Sequence, residues 1–224
     1  SYFFYDNKDL FDEAGLDYPT NDWTIEEYLE ISQQLTDLSK HQYGTNVQPW
    51  YGTYFLPWAW AFGGGWYNED YSSVLWEHPG TIEAHQFVAD LINEYQVAPT
   101  MDMQDTVGID FSSGKIAIHY SGSWDIAGTE GENSKWPFRW GTVLPPHGPA
   151  GQHPIVHTNA VSLSSRSQNK EAAWAFIEWF VGEEAQTIMA EYGEFPAHIN
   201  ASREAAFAHM DEADRQVVFD AAEN

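Results

Sequence analysis

The chain has 224 residues and no cysteine, and its nine Lys and Arg against 34 Asp and Glu give a formal net charge of −25. This charge repels phosphate backbones and argues against a nucleic-acid partner, while the lack of cysteine excludes disulfides, thiolate metal sites and thiol nucleophiles. No apolar run reaches the roughly 18 residues that a membrane span needs, and the N-terminus SYFFYDNKDL lacks the pattern of a signal peptide.

A strand and two helices are predicted at the start of the chain. Residues 2–7, YFFYDN, are typical of a short strand, and the next residues predict a short helix that ends at Gly15. Thr24 lies three residues before Glu27, which is the spacing of a capping box, and apolar residues then recur at helical intervals. An amphipathic helix is therefore predicted to begin at Thr24.

The most unusual segment is aromatic. Half of the positions from Trp50 to Tyr67 are Trp, Tyr or Phe. A sugar ring is apolar on its CH faces and stacks on such side chains, whereas a few fixed polar groups bind its hydroxyls. Five aromatic residues beside Pro, Gly or Ser are candidates for ligand contact: Trp50, Tyr51, Tyr54, Trp66 and Trp124. Five others follow packing patterns and are predicted to lie in the core: Trp58, Trp60, Phe62, Trp174 and Trp179.

A second amphipathic helix is predicted after the break at Pro79-Gly80, with Thr81 as its N-cap. A short helix follows, then a turn at Ser113-Gly114 and a strand that ends at Gly122. The strand therefore runs directly into Ser123-Trp124.

The remaining elements are predicted from short patterns. Residues 138–145 predict a strand, and residues 155–165, IVHTNAVSLSS, predict a buried strand. Residues 169–192 predict two helices that meet at Gly182, and residues 203–224 predict a helix. Strands separated by helices favour an α/β fold with a largely parallel sheet, in which ligands bind where strands end.

The motifs of the common enzyme classes are absent: there is no G-x-S-x-G, no Walker loop, no G-x-G-x-x-G and no H-E-x-x-H. His147, His153 and His157 lie within eleven residues, but their setting among Pro and Gly favours loop histidines over a zinc site. We therefore expect neither a metal nor a cofactor.

Two other functions stay open at this point. A glycoside hydrolase needs two carboxyl groups about 5 to 10 Å apart, and Asp125 or the pair Glu69 and Asp70 are the best placed. A binder of peptides or of another non-sugar solute is the third class.

Four segments resemble a known family in their order and approximate spacing. These are residues 5–37 with NKDLF, 111–124 with SGSW, 140–151, and 164–197 with NKEAAW and EEAQ. Together they are similar to the extracellular solute-binding proteins of ABC sugar importers, the group that includes maltose-binding protein. The matching stretches cover nearly all of the chain.

The resemblance implies a periplasmic-binding-protein-like fold of two α/β lobes, type II, that closes on a carbohydrate without catalysis and presents it to a membrane permease. It implies a chain incomplete at both ends, with residues 1–150 as the second lobe, 151–201 as a returning part of the first, and 202–224 as a closing helix. It further implies a monomer outside the cytoplasmic membrane, anchored through a lipoprotein segment that this chain lacks.

The family's binding residues are carried over by position. Trp124 of the SGSW motif matches the family's sugar-stacking tryptophan, and Trp66 is expected to add stacking surface. The family also places ligand contacts ahead of Gly63-Gly64, where Trp50, Tyr51 and Tyr54 fall nearest. Asn159, in the His157-Thr158-Asn159 stretch, corresponds to a cleft-lining part of the first lobe and is the expected polar contact.

Overall fold

The computed structural model describes residues 1–48, 52–129, 134–198, 201, 207 and 210–223. Its strands are β1 (Tyr2–Asn7), β2 (Tyr43–Thr45), β3 (Ile116–Gly122) and β4 (Trp140–Val143). Its α-helices are α1 (Lys8–Ala14), α2 (Ile25–Gln34), α3 (Gly52–Ala61), α4 (Pro79–Asn93), α5 (Met101–Val107), α6 (Lys170–Phe180), α7 (Glu183–Glu191) and α8 (Glu212–Glu223). Short 3₁₀ turns occupy Leu38–Lys40 and Ser123–Asp125.

The strands form one mixed sheet in the order β2-β3-β1-β4. β1 is antiparallel to both β3 and β4, and the pair of β2 and β3 is parallel. The prediction of a largely parallel sheet was therefore wrong. The connection from β1 to β2 runs through two helices, and such a long connection can return the chain in either direction.

β1 lies at the centre of the hydrophobic core, and all six of its residues are buried. Because side chains alternate along a strand, Tyr2 and Phe4 pack on one face of the sheet while Phe3 and Tyr5 pack on the other. The first face is covered by α2, α3 and α4, and the second face by α8 and the aromatic residues that surround Phe111.

The local signals at the start of the chain are confirmed. The Glu27 N–H donates to Thr24 Oγ1, and the Thr24 N–H donates to the Glu27 carboxylate at 2.8 Å, so α2 begins with a complete capping box. Gly15 ends α1 with a left-handed backbone at φ 68°. The two helices predicted to meet at Gly182 are α6 and α7.

The predicted N-cap of α4 was wrong. The helix begins at Pro79, which suits a first turn because its missing N–H needs no partner, and the side chain of His78 accepts from the Gly80 N–H. Thr81 is buried, and its hydroxyl donates to the Gly65 carbonyl while accepting from the Gly65 N–H. Thr81 therefore fixes the glycine-rich turn after α3.

Two predictions of burial were also wrong. Residues 156–165 form no strand and are mostly exposed, although Ile155 is buried and bonded to Tyr2. Trp60, Trp174 and Trp179 are 36%, 53% and 45% exposed, whereas Trp58 is buried as predicted. An apolar periodicity shows which side chains share a face, but the face is buried only where a second element covers it.

Within the described ranges, no helix is both long and apolar enough to cross a bilayer. The same residues contain no group of three His, Asp or Glu that could hold a metal ion.

α8 is tied to the sheet by a small polar cluster. Asp214 accepts from the Lys8 ammonium at 2.9 Å and from the Thr142 N–H at 2.7 Å. Asp6 lies beside this pair, and its buried Oδ2 atom has no hydrogen-bond partner among the residues that the structure describes. Burial raises the pKa of Asp6 to about 7, against the opposing charge of Lys8 and with a further contribution from Asp214.

The variant Asp6→Asn tests this cluster. Between about pH 4 and pH 7 the folded protein holds a proton on Asp6 that the unfolded chain has released, so wild-type stability declines over this range relative to the variant. In urea denaturation we compare the free energy of unfolding of Asp6→Asn with that of the wild type at two pH values. We expect the difference, variant minus wild type, to be larger near pH 8 than near pH 5. Asp17→Asn, at an exposed loop position, is the control. Parallel pH profiles for wild type and Asp6→Asn would contradict the assignment.

Candidate functional site

The end of β3 presents Trp124 at the surface. Gly122 is the last residue of the strand, and Ser123, Trp124 and Asp125 form the 3₁₀ turn that follows. The Trp124 ring lies directly against the Gly122 backbone, where a Cβ would overlap the ring. Trp124 is 38% exposed. The turn therefore holds a large ring in one position with part of its surface open to solvent.

Three tyrosines extend this surface inward, and with Trp124 they form what we call the aromatic cluster: Tyr2, Tyr54, Tyr120 and Trp124. The rings of Tyr2 and Trp124 meet edge to face at 4.8 Å between centroids, and Tyr54 meets both Tyr2 and Tyr120 edge to face. The Tyr2 hydroxyl donates to Thr53 Oγ1 at 3.1 Å. The cluster thus connects the first residues of β1, the start of α3 and the end of β3.

Polar side chains hold the turn behind Trp124. Asp125 accepts a hydrogen bond from the Ser121 hydroxyl, and it lies 3.5 Å from His119 Nε2 and 3.3 Å from Lys135 Nζ. Burial opposes ionisation of Asp125, but these hydrogen bonds and the charge of Lys135 outweigh it and hold its pKa at about 2. The other ring nitrogen of His119 lies 3.0 Å from Asn46 Oδ1. The network therefore links the Trp124 turn to the chain segment that follows β2.

Trp66 is held in the same manner as Trp124. Its ring lies against the backbone of Gly52, the first residue of α3, at a place where a Cβ would overlap it. Trp66 stands between two cavities, of about 510 Å³ and about 640 Å³, and lines both. These volumes fall in the range of small-molecule sites, about 300 to 1,000 Å³.

The two cavities differ in their walls. The 510 Å³ cavity lies between the first turns of α3 and the last turns of α4, and Asn46, Gln48 and Tyr120 also line it. The 640 Å³ cavity lies over the glycine-rich turn and includes Glu69.

The structure brings together three of the predicted site residues. Trp124 and Tyr54 belong to the aromatic cluster, and Trp66 shares the 510 Å³ cavity with Tyr54. Trp50 and Tyr51 lie outside the described residues. Asn159 lies in the exposed stretch after Ile155.

Sequence reasoning missed Tyr2, Thr53, Tyr120 and Asn46. Tyr2 and Tyr120 lie in strands whose residues are all buried, so their sequence pattern is that of core positions. Tyr2 comes beside Trp124 only through the pairing of β1 with β3, in which it lies opposite Gly122, and no sequence signal marks that pairing.

The chain is similar to known proteins in both sequence and fold. The profile of the bacterial extracellular solute-binding protein family matches residues 1–214. A maltotriose-binding protein of Pyrococcus abyssi is 27% identical over 161 residues, which are 70% of this chain and 34% of that protein. A Listeria monocytogenes ABC substrate-binding protein, solved in complex with cycloalternan, is 27% identical at a TM-score of 0.82 over 99% of this chain and 57% of its own.

A third similar structure shows the fold alone. It is an ABC transporter solute-binding protein from Thermotoga lettingae bound with α-D-tagatose, 22% identical at a TM-score of 0.79, covering 98% of this chain and 57% of its own. This chain therefore spans about a third to a little over half of the length of these proteins. Its α/β architecture is the periplasmic-binding-protein fold of its neighbours. The chain belongs to the family of bacterial extracellular solute-binding proteins.

Proposed function

We propose that this chain contributes one wall of a carbohydrate-binding cleft, and that the sugar is delivered to the permease of an ABC importer. The observation that carries the proposal is the position of Trp124. Its partly exposed ring packs against the Gly122 backbone and contacts the Tyr2 ring edge to face. A rigid exposed ring fits the apolar face of a sugar, and the polar groups around it fit the hydroxyls.

The relatives support the class of ligand. The Pyrococcus abyssi protein is named for maltotriose and the Listeria monocytogenes protein was solved with cycloalternan, and both ligands are neutral carbohydrates. A neutral ligand also suits this chain, since its net charge of −25 would repel a strongly anionic solute. The contacts we propose are Trp124, Tyr54 and Trp66, with Trp50, Tyr51 and Asn159 as further ligand residues.

We also propose that a second lobe completes the cleft. Residues 1–150 would form one lobe, residues 151–201 a returning part of the other, and residues 202–224 the closing helix. The exposed apolar side chains of α6 support this division, because Trp174, Phe176 and Trp179 are 45% to 53% exposed, and large apolar side chains exposed together on one helix are of the kind that a further packing layer buries.

An acid/base glycosidase is less well supported. That chemistry needs one carboxyl group with a raised pKa beside the ligand. The pKa of Asp125, the acid nearest Trp124, is lowered to about 2, and hydrogen bonds from Ser72 lower the pKa of Asp70. The family and the structural neighbours are substrate-binding proteins. A non-sugar solute on the same fold stays as the second candidate, and a sugar screen decides between them.

The proposal has consequences for location and assembly. A protein of this function works as a monomer outside the cytoplasmic membrane, where it meets the permease. We propose a lipoprotein anchor ahead of the first residue as the means of attachment.

The first test is a screen of mono- and oligosaccharides by tryptophan fluorescence, on this chain and on the two-lobed protein. We expect saturable binding of a neutral sugar, and Trp124→Ala should weaken it by about 1 to 3 kcal/mol because a stacking face is lost. Tyr95→Ala is the matched control, since Tyr95 is also 38% exposed and lies outside the cluster. If the folded protein shows no fluorescence change with any sugar, the proposal is wrong. If Trp124→Ala binds the sugar with the affinity of the wild type, Trp124 is not part of the site.

The second test changes the support of the Trp124 turn. Asp125→Asn keeps the size of the side chain but loses the charge interaction with Lys135 and changes the contact with His119 Nε2. We therefore expect weaker sugar binding and a loss of about 1 kcal/mol in unfolding free energy near pH 7. The stability difference from wild type should shrink as the pH falls from about 4 to about 2, where Asp125 itself becomes protonated.

Urea denaturation across pH and calorimetric titration with the sugar measure both effects, with Asp105→Asn at an exposed position as control. Sugar affinity equal to wild type would show that the turn holds Trp124 without this network.

A further inference from the structure

The 510 Å³ cavity between α3 and α4 has uncharged walls. None of the described residues that line it is Asp, Glu, Lys or Arg, although the chain carries 34 acidic residues. Tyr54 and Trp66, two of the proposed sugar contacts, line this cavity. A sugar on these rings also needs hydrogen-bond partners for its oxygens. Three amide side chains of the wall could form such bonds without a charge: Asn46, Gln48 and Asn93.

The three amides differ in burial and in their contacts. Asn93 Nδ2 already donates to the Ala89 carbonyl at 2.9 Å, one turn earlier on α4. Gln48 is only half-buried. Asn46 is 8% exposed, and its Oδ1 lies 3.0 Å from His119 Nδ1. Among these amides, Asn46 is therefore the one that is both buried and held by a second buried side chain.

The backbone on both sides of Asn46 is also held. Thr45, the last residue of β2, donates its N–H to the Val97 carbonyl at 3.0 Å. The Val47 carbonyl accepts from Gln104 Nε2 at 3.2 Å. The Asn46 side chain therefore extends from a backbone position that the sheet and the neighbouring segments fix.

The contact with His119 leaves the amide nitrogen of Asn46 unused. An amide oxygen only accepts hydrogen bonds, so His119 Nδ1 carries the proton and donates it to Asn46 Oδ1. In the described chain, the unpaired side-chain atoms that are closed off from solvent are Asp6 Oδ2, Ser32 Oγ and the Tyr120 hydroxyl. Asn46 Nδ2 has no partner among the described residues and is not one of these atoms, so it stays accessible.

An unpaired donor on an almost fully buried side chain indicates a ligand. Buried polar groups are nearly always hydrogen-bonded, and an amide nitrogen has two protons to donate. Asn46 lines the cavity, so an oxygen of a molecule in the cavity can accept from Asn46 Nδ2. Hydroxyl, ring and glycosidic oxygens of a sugar are acceptors of this kind, whereas a methylene group is not.

We propose that Asn46 is a specificity-determining residue, whose Nδ2 donates to an oxygen of the sugar in the cavity between α3 and α4. His119 is the positioning residue, because its bond to Asn46 Oδ1 keeps the nitrogen side of the amide available. This inference rests on the proposed function. The contact selects a sugar that carries an oxygen at this point, since a ligand without it would cover a buried donor and leave it unpaired.

The first experiment follows the Asn46 side-chain amide by ¹H–¹⁵N NMR during titration with maltotriose, for which one relative is named. If the fluorescence screen identifies another sugar, that sugar is used as well. The 224-residue chain and the two-lobed protein are both titrated. At saturation, the two Nδ2 protons should shift and exchange more slowly with water, because they bond to the ligand. Through-bond assignment makes this measurement independent of any variant.

A pair of variants measures the contribution to affinity. Asn46→Leu keeps the approximate size of the side chain but removes the donor, and it should bind the sugar about tenfold more weakly in calorimetric titration. Asn93→Leu is the matched control, because Asn93 lines the same cavity but its Nδ2 is already bonded to the Ala89 carbonyl. It should bind with the affinity of the wild type.

A second pair of variants tests the role of His119. His119→Phe keeps a ring against Phe111, which lies 5.0 Å from the His119 ring between centroids, but removes the donor to Asn46. We expect shifted Asn46 amide signals in the ligand-free protein and weaker sugar binding. His119→Asn keeps an N–H near the position of Nδ1 and should restore part of the affinity. Equal affinities for the two variants would show that His119 does not position Asn46.

The outcomes separate this inference from the proposed function. If the sugar saturates the protein while the Asn46 amide signals stay unchanged, the assignment of Asn46 is wrong and the sugar site stands. The same holds if Asn46→Leu binds with the affinity of the wild type. If the folded two-lobed protein binds no sugar, the proposed function is wrong, and the assignment of Asn46 is overturned with it.

Discussion

The structure depends on β1, a strand of six residues that is buried on both faces. It is hydrogen-bonded to β3 on one side and β4 on the other, so both aromatic layers of the core are fixed by the alternation of its side chains. Its first residue, Tyr2, lies at the end of the strand, and the Tyr2 ring packs edge to face against Trp124. The same strand therefore orders the core and sets the position of the surface proposed for ligand contact.

The parts of the fold that could be predicted are those whose causes lie within a few residues. Thr24 and Glu27 form their capping box across one turn, and Gly15 ends α1 through its own backbone geometry. The position of Trp124 directly after a strand could be predicted for the same reason, since the strand, the glycine and the turn are adjacent in sequence, while its contact with a ligand stays a prediction.

The parts that could not be predicted depend on distant neighbours. The direction of β1 is set by its pairing with β3, more than a hundred residues later, and the exposure of Trp174 depends on whether another layer covers α6. Tyr120 and Asn46 carry no local signal of a ligand site, because a buried tyrosine in a strand is ordinarily core. Only the cavity that both of them line distinguishes them from ordinary core residues.

The packing of Trp124 on Gly122, and of Trp66 on Gly52, also bears on the kinetics of recognition. A ring already confined by the backbone has little rotamer freedom left to lose, so a ligand that stacks on it meets a surface ordered in advance. Association of a ligand then requires no rearrangement of these rings. Ligands that pack on them more or less closely should therefore differ mainly in their dissociation rates.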